Sequence, residues 1–415
     1  MMVLGGATAC TDFIEIDPEN KVPEQGVDFT NKNNMYQPVV GAYSKVRTQG
    51  MHWCNALLMF TRDGDVWSGR TDDQGDAVAF GRKFNYNNSF WALNQVWMNF
   101  YDIIRITNAA LQSLDGYAEY LAAGSEDYKT YESYCGEVRT IRAWAYYCLV
   151  TNFGPTVIYR DNLQTDFRRS TVEAVYNYML EDLNYAIDKL PRMRPNQMEH
   201  KGAVTAFTAQ ALAARIYLLK GDYAQVETLT DDIIKNGGFR LYDDFYQLFK
   251  IPGKLCDESL FECQVTDYGN GSGDYLGVDQ WFNFQGPNMA ERYDEVVNAD
   301  GTISYKQAEG TKSIGGWNFI GYEPEFVAWA EARGEGVRAE TSFLKALSKT
   351  REGWQVGPTS ATKTDCWNGK GYLPYNQMTL PRTTYGANNN VRIIRYAEVL
   401  LMETQATTKC AGVQA

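Results

Sequence analysis

The side chains best suited to chemistry in this chain are aromatic rings and carboxylates set in polar stretches. Residues 62–86 are polar, acidic and Gly-bearing, with Trp67 in their midst. Asp63-Gly-Asp65 and Asp72-Asp73-Gln-Gly-Asp76 surround that ring. They lack the spaced loop closing on Glu that calcium needs, and read as a solvated acidic loop. A second stretch, 266–390, is rich in Gly, Asn and aromatics, among them Tyr275, Trp281 and Trp317, and its periodicity is weak. Loops of such length need a scaffold under them and usually carry function. Aromatics make up 14% of the chain and include 28 Tyr, more than a core needs; Tyr suits surfaces that are both flat and polar.

Other chemistries find little support. Two histidines, His52 and His200, and cysteines without a CxxC pair argue against a zinc site. Cys135 and Cys148 fall on different faces of one expected helix, so they cannot bridge. Cys256 and Cys263 flank a short strand-like segment, and their pairing stays open. Arg139 and Arg142 resemble an anion site, but on a buried helix they are expected to pair with internal carboxylates or cap carbonyls. GxSxG, GxGxxG after a strand, Walker A and HExxH motifs are absent, and no cofactor is implied. With 39 basic against 51 acidic residues, the net charge of -12 would repel nucleic-acid phosphates.

The elements that must position those loops are mostly helices. Apolar residues recur at three- and four-residue spacing over about 88–114, with further helices expected at 34–48, 51–61, 128–152, 171–190, 203–220 and 222–236. Gly154-Pro155, Pro191 and Gly237-Gly238 mark stops, and Ser170 or Thr171 a start. Short Gly- and Pro-marked turns imply antiparallel neighbours. The segment Lys201-Gly202 through Gly221-Asp222-Tyr223 has the small-residue spacing of a tetratricopeptide unit, although no strict period runs along the chain. Trp91, Trp97, Trp144 and Trp329 lie in helical patterns and are expected in the core. A short strand is expected around 258–265. The fold expected is therefore mostly α, a divergent helical-pair scaffold followed by a long, aromatic-rich, loop-rich region.

No run of about 20 apolar residues spans a membrane. Residues 1–9 are apolar and small and end at Cys10, which reads as the tail of a bacterial lipoprotein signal with Cys10 lipidated. Ala7 stands where Leu or Val is commoner, and with the usual basic region missing the true start is expected upstream. Asp12, Glu15, Asp17 and Glu19 follow as an acidic tether, and multiple acyl chains on one Cys give stable attachment.

At this point the chain resembles the SusD/RagB family of outer-membrane lipoproteins of Bacteroidetes. Five pieces match in order: Cys10-Thr-Asp-Phe; Arg139 to Pro155; Lys201-Gly202 through Gly221-Asp222-Tyr223; Glu258-Ser-Leu-Phe-Glu262; and Asn390 through Met402. Gly315-Gly-Trp317, Pro324-Glu-Phe326-Val and Arg338 also fit the family's run. After Met402 the family pattern is left, so the C-terminal end reads as truncated or frame-shifted. The resemblance divides the chain into a signal remnant (1–9), an N-terminal SusD-like helical region (10–255) and an incomplete loop-rich C-terminal region (256–415).

The resemblance implies a non-enzymatic, surface-exposed protein of the outer membrane that captures an oligosaccharide. It would deliver that cargo to a partner TonB-dependent, SusC-like transporter. Sugar C–H faces stack on Trp and Tyr while hydroxyls take amide and carboxylate partners, so no catalytic group is needed. Family ligand sites form from the loop before the long helix and the loops after the short strand. Here these loops hold Trp67, Asp65 and Asp73, and Tyr275, Trp281 and Trp317 as candidate ligand contacts. Two alternatives stay open: a helical glycoside hydrolase using a carboxylate pair, and a tetratricopeptide-type scaffold for a protein partner.

Overall fold

Local signals divide the chain where the periodicity breaks. A computed structural model describes residues 26–60, 62, 64–68, 90–265, 278–286, 293–310, 316–317, 319–353, 355–357, 366–374, 377 and 389–413. Two short helices, α1 (Gln37–Lys45) and α2 (Trp53–Phe60), precede the two longest, α3 (Trp91–Ala118) and α4 (Glu126–Phe153). Ser125 starts α4 by accepting from the Tyr128 N–H at 3.2 Å. Gly154 ends it at φ 72°, a backbone state that glycine adopts without steric cost. Then come α5 (Val172–Lys189), α6 (Ala206–Lys220) and α7 (Tyr223–Asn236). Thr171 caps α5 through the Ala174 N–H at 3.2 Å, and Gly221 closes α6 in the left-handed region at φ 74°.

Each of these helices packs on its sequence neighbour, α3 on α4, α4 on α5, α5 on α6 and α6 on α7, as a helical-pair scaffold requires. The row ends on α12 (Tyr396–Val413), which packs on α7. That helix continues past Met402, where the family pattern is left, and buries Ala406. Arg215 on α6 ties it down with Nε and Nη2 donating to Glu398 at 2.5 and 2.6 Å.

The stretch Arg139–Pro155 lies at the centre of this body. Arg142 donates to both Asp182 oxygens at 2.8 and 2.7 Å and to Asn108 Oδ1 at 2.8 Å, joining α3, α4 and α5. Arg139 adds a 3.0 Å bond to Asp182. The pairing expected of these arginines is therefore internal. Trp144, Tyr146 and Leu149 are buried in the main core.

The region after α7 holds more regular structure than its weak periodicity predicts. Between the short α8 (Phe245–Leu248) and α12 lie α9 (Val278–Gln285), α10 (Pro324–Ala332) and α11 (Val337–Ser342). A four-stranded antiparallel sheet runs in the order β1 (Val66–Ser68), β5 (Ile320–Tyr322), β7 (Cys366–Asn368), β6 (Phe343–Lys345). Thus the stretch 62–86, read as loop, contains a strand. The expected strand is β2 (Ser259–Cys263), paired with β8 (Val391–Arg395), and β3 (Tyr293–Val297) forms a hairpin with β4 (Ile303–Gln307). Cys256 and Cys263 are both free thiols.

Candidate functional site

The first turn of α2 carries Trp53, and the first residue of α3 is Trp91; the stretch 62–86 lies between these helices. The two rings meet edge to face, with centroids 5.4 Å apart. Trp317 meets Trp53 at 6.0 Å in the same manner, and Phe284 and Phe319 pack beneath at 5.4 and 6.4 Å. Phe284 and Phe319 stack on each other at 5.1 Å and are buried. Trp53 and Trp317 are half-buried, whereas Trp91 is 53% exposed. The result is an aromatic cluster with an apolar floor and a rim of indole rings, an arrangement that offers C–H-rich flat ligands a stacking surface. His52 lies against Trp53 at 5.9 Å, and burial pushes its pKa down, which favours the neutral imidazole.

The strand pair β1–β5 leads from this cluster to a second surface. Trp67 lies opposite Gly321, and Val66 opposite Tyr322. One residue earlier, the Asp65 carbonyl accepts from the Glu323 N–H at 3.0 Å. Asp65 then lines an open cavity of about 750 Å³ with Glu323, Glu325, Phe326 and Trp329. Trp329 is 54% exposed, stacks on Phe326 at 5.8 Å and lies under the Arg333 guanidinium at 4.8 Å.

The predicted residues thus divide between two neighbouring surfaces. Trp317 belongs to the aromatic cluster and Asp65 to the acidic cavity, while the backbone of Trp67 lies in the strand between them. Trp281, on α9, is 7% exposed in the main core, so its expected stacking contact is corrected to a supporting role. The Gln285 side chain on the same helix donates to the Trp281 carbonyl at 3.1 Å and accepts from Asn368 at 2.6 Å, fixing α9 against β7. Asp73, Tyr275 and Cys10 lie outside the described residues.

Two tryptophans expected in the core are corrected in the opposite sense: Trp91 and Trp329 are exposed. Trp91 is the first residue of α3, and Trp329 lies on the outer side of α10. Trp144 is buried and Trp97 half-buried, as their helical patterns predict. Trp53 carries no separate signal in the sequence, because Trp-Cys-Asn-Ala-Leu-Leu-Met-Phe reads as a core helix throughout. Among the described residues, no group of three or more His, Cys, Asp or Glu could hold a metal ion, and no helix is long and apolar enough to cross a membrane.

Comparison with known proteins agrees with this architecture. A SusD-like family model, described as starch-binding and associating with outer membrane, matches residues 12–218. A SusD-like protein of Bacteroides ovatus is 25% identical over 231 residues, which cover 49% of this chain and 41% of that relative. The match therefore spans well under two thirds of the relative's length. Among solved structures, a laminarin-binding SusD-like protein superposes with a TM-score of 0.72 at 22% identity, over 90% of this chain and 80% of its own. Surface glycan-binding protein A of Bacteroides thetaiotaomicron, in complex with laminarihexaose, gives 0.67 at 19% identity, over 91% and 79%. Family model, sequence relative and fold agree on the same helical body, and the chain belongs to the SusD/RagB family.

Proposed function

We propose that this protein captures an oligosaccharide at the cell surface and passes it to a TonB-dependent, SusC-like outer-membrane transporter, without catalysis. The observation that carries the reading is the cluster of Trp53, Trp91 and Trp317 on its buried floor of Phe284 and Phe319. Rings held edge to face by packing lose little freedom on binding, so stacking energy is not spent on ordering them. Trp67, Asp65, Asp73 and Tyr275 add ring and hydroxyl-binding contacts from the adjoining segments, with Trp281 bracing α9 beneath. Lipidation at Cys10 anchors the body to the outer membrane by a tether. Family membership supports the glycan class, and the laminarin ligands of two structural neighbours make β-glucans the first cargo to try.

The test is a calorimetric titration of the purified chain with starch and laminarin oligosaccharides, followed by assay for new reducing ends. Binding without new ends is expected. Absence of affinity for every glycan, or the appearance of reducing ends, would sink the reading, the latter in favour of a helical glycoside hydrolase. Co-purification with a large β-barrel tests the transporter partnership separately.

A further inference from the structure

Lys250, just past α8, is fully buried, and glycan capture as described makes no use of it. A lysine side chain is seldom enclosed in this way. Its Nζ donates to the Gly369 and Tyr372 carbonyls at 2.6 and 2.5 Å. Both carbonyls belong to the turn that leaves β7, Asn368-Gly-Lys-Gly-Tyr372. The ring centroids of Tyr246 and Tyr372 lie 4.8 and 5.6 Å from the nitrogen. The Lys250 backbone is held as well, its carbonyl accepting from Arg392 on β8 at 3.1 Å.

The same turn reaches the floor of the aromatic cluster. Asn368 Nδ2 donates to Gln285 Oε1 on α9 at 2.6 Å. Gly371 lies against Phe282 of that helix, where a Cβ would stand 3.7 Å from the ring. Next to Gln285 is Phe284, whose ring packs on Trp53 at 5.4 Å and whose carbonyl accepts from the Phe319 N–H at 3.2 Å. The turn is thus held by Lys250 and itself holds α9.

We infer that Lys250 is a positioning residue for the glycan platform: it clamps the turn after β7, and through Asn368 that turn keeps α9 and Phe284 packed on Trp53. The effect on glycan rests on the capture reading, whereas the clamp stands on its own contacts.

The clamp responds to pH. Burial pushes the Lys250 ammonium down to about 7, with Glu352 acting upward and the Arg392 guanidinium downward. Glu352 accepts from Tyr246 Oη at 2.9 Å, so its charge faces the lysine across that ring. Lifting the turn returns Nζ to water, where a lysine keeps its proton to about 10.4. Opening therefore takes up a proton between these values. The clamp tightens as pH rises through the window and loosens as pH falls.

Hydrogen exchange of the intact chain, read over residues 278–286 and corrected for the intrinsic rate, tests this. Asn368→Ala, which leaves Lys250 in place, should speed exchange in α9 about tenfold and leave α4 unchanged. In the parent, protection of α9 should rise about tenfold from pH 7 to pH 8.5, and in Lys250→Met it should stay flat. Titration with laminarin oligosaccharides should show affinity about threefold or more weaker in Asn368→Ala. Unchanged α9 exchange in Asn368→Ala, or the same pH dependence in parent and Lys250→Met, overturns the clamp. Unchanged glycan affinity in a variant whose α9 exchange has risen overturns the positioning role. A parent that binds no glycan overturns the capture reading instead, and the clamp is then decided by exchange alone.

Discussion

Replacing Trp91 with Ala removes an exposed ring from the aromatic cluster and little from the core. Glycan affinity should fall about tenfold, or ~1.4 kcal/mol, while Tm holds. Trp281→Ala should do the reverse, costing about 3–5 kcal/mol of stability through a buried cavity, and calorimetry with a thermal melt separates the two. Glu137 makes a pH prediction. It is buried on α4 and accepts from Tyr43 Oη at 2.8 Å and Tyr36 Oη at 3.3 Å. Burial raises its pKa from 4.5 to about 7, against the lowering effect of the two tyrosine bonds. Between these values the folded state binds more protons than the unfolded, so this group's contribution falls as pH rises through the window. Glu137→Gln keeps an acceptor and removes the ionisation. Its stability relative to the parent should therefore rise from pH 5 to pH 8 by a few kcal/mol, read from denaturant midpoints. A constant difference across that range would contradict the burial argument. Residue-scale reading of the sequence succeeded where periodicity was long, as for Trp144 and Arg142. It failed at Trp91 and Trp329, because a helical period identifies a face but not whether anything covers the end or the outside of it.

At the scale of elements, α4 and α5 approach closely at Gly136. A Cβ there would lie 2.9 Å from Leu190 Cγ and 3.5 Å from the Ala186 backbone. Gly136→Ala should cost about 1–3 kcal/mol by overpacking, visible as a lowered Tm. Breaking the junction that Arg142 makes with Asp182 should cost more. Asp182→Ala leaves a buried guanidinium unpaired, and about 3–5 kcal/mol is expected from chemical denaturation. The helices were legible from caps and stops: Thr171, Gly154 and Gly221 stand within a residue or two of the observed ends. The sheet β1-β5-β7-β6 was not. Three of its strands are separated from β1 by hundreds of residues in sequence, and each is three residues long, too short for alternation to register. Pairing of Trp67 with Gly321 is a tertiary fact with no local signature.

Over the whole molecule, a row of helical pairs forms one body, and the starts of α2 and α3 bring Trp53 and Trp91 together with Trp317. Family resemblance directs attention to 62–86 and the loops after β2, whose described residues include Trp67 in β1 and Trp317 on the aromatic cluster. It did not separate Trp317, on the cluster, from Trp281, buried in the main core, since burial depends on how α9 packs.

The most direct measurement is calorimetric titration of the intact chain and its Trp91→Ala variant with the oligosaccharide panel, with reducing ends assayed in the same samples. The account predicts binding by the parent, a loss of about tenfold in the variant at unchanged Tm, and no new reducing ends from either. Equal affinity in both proteins would contradict the assignment of the site, and release of reducing ends would contradict capture without catalysis.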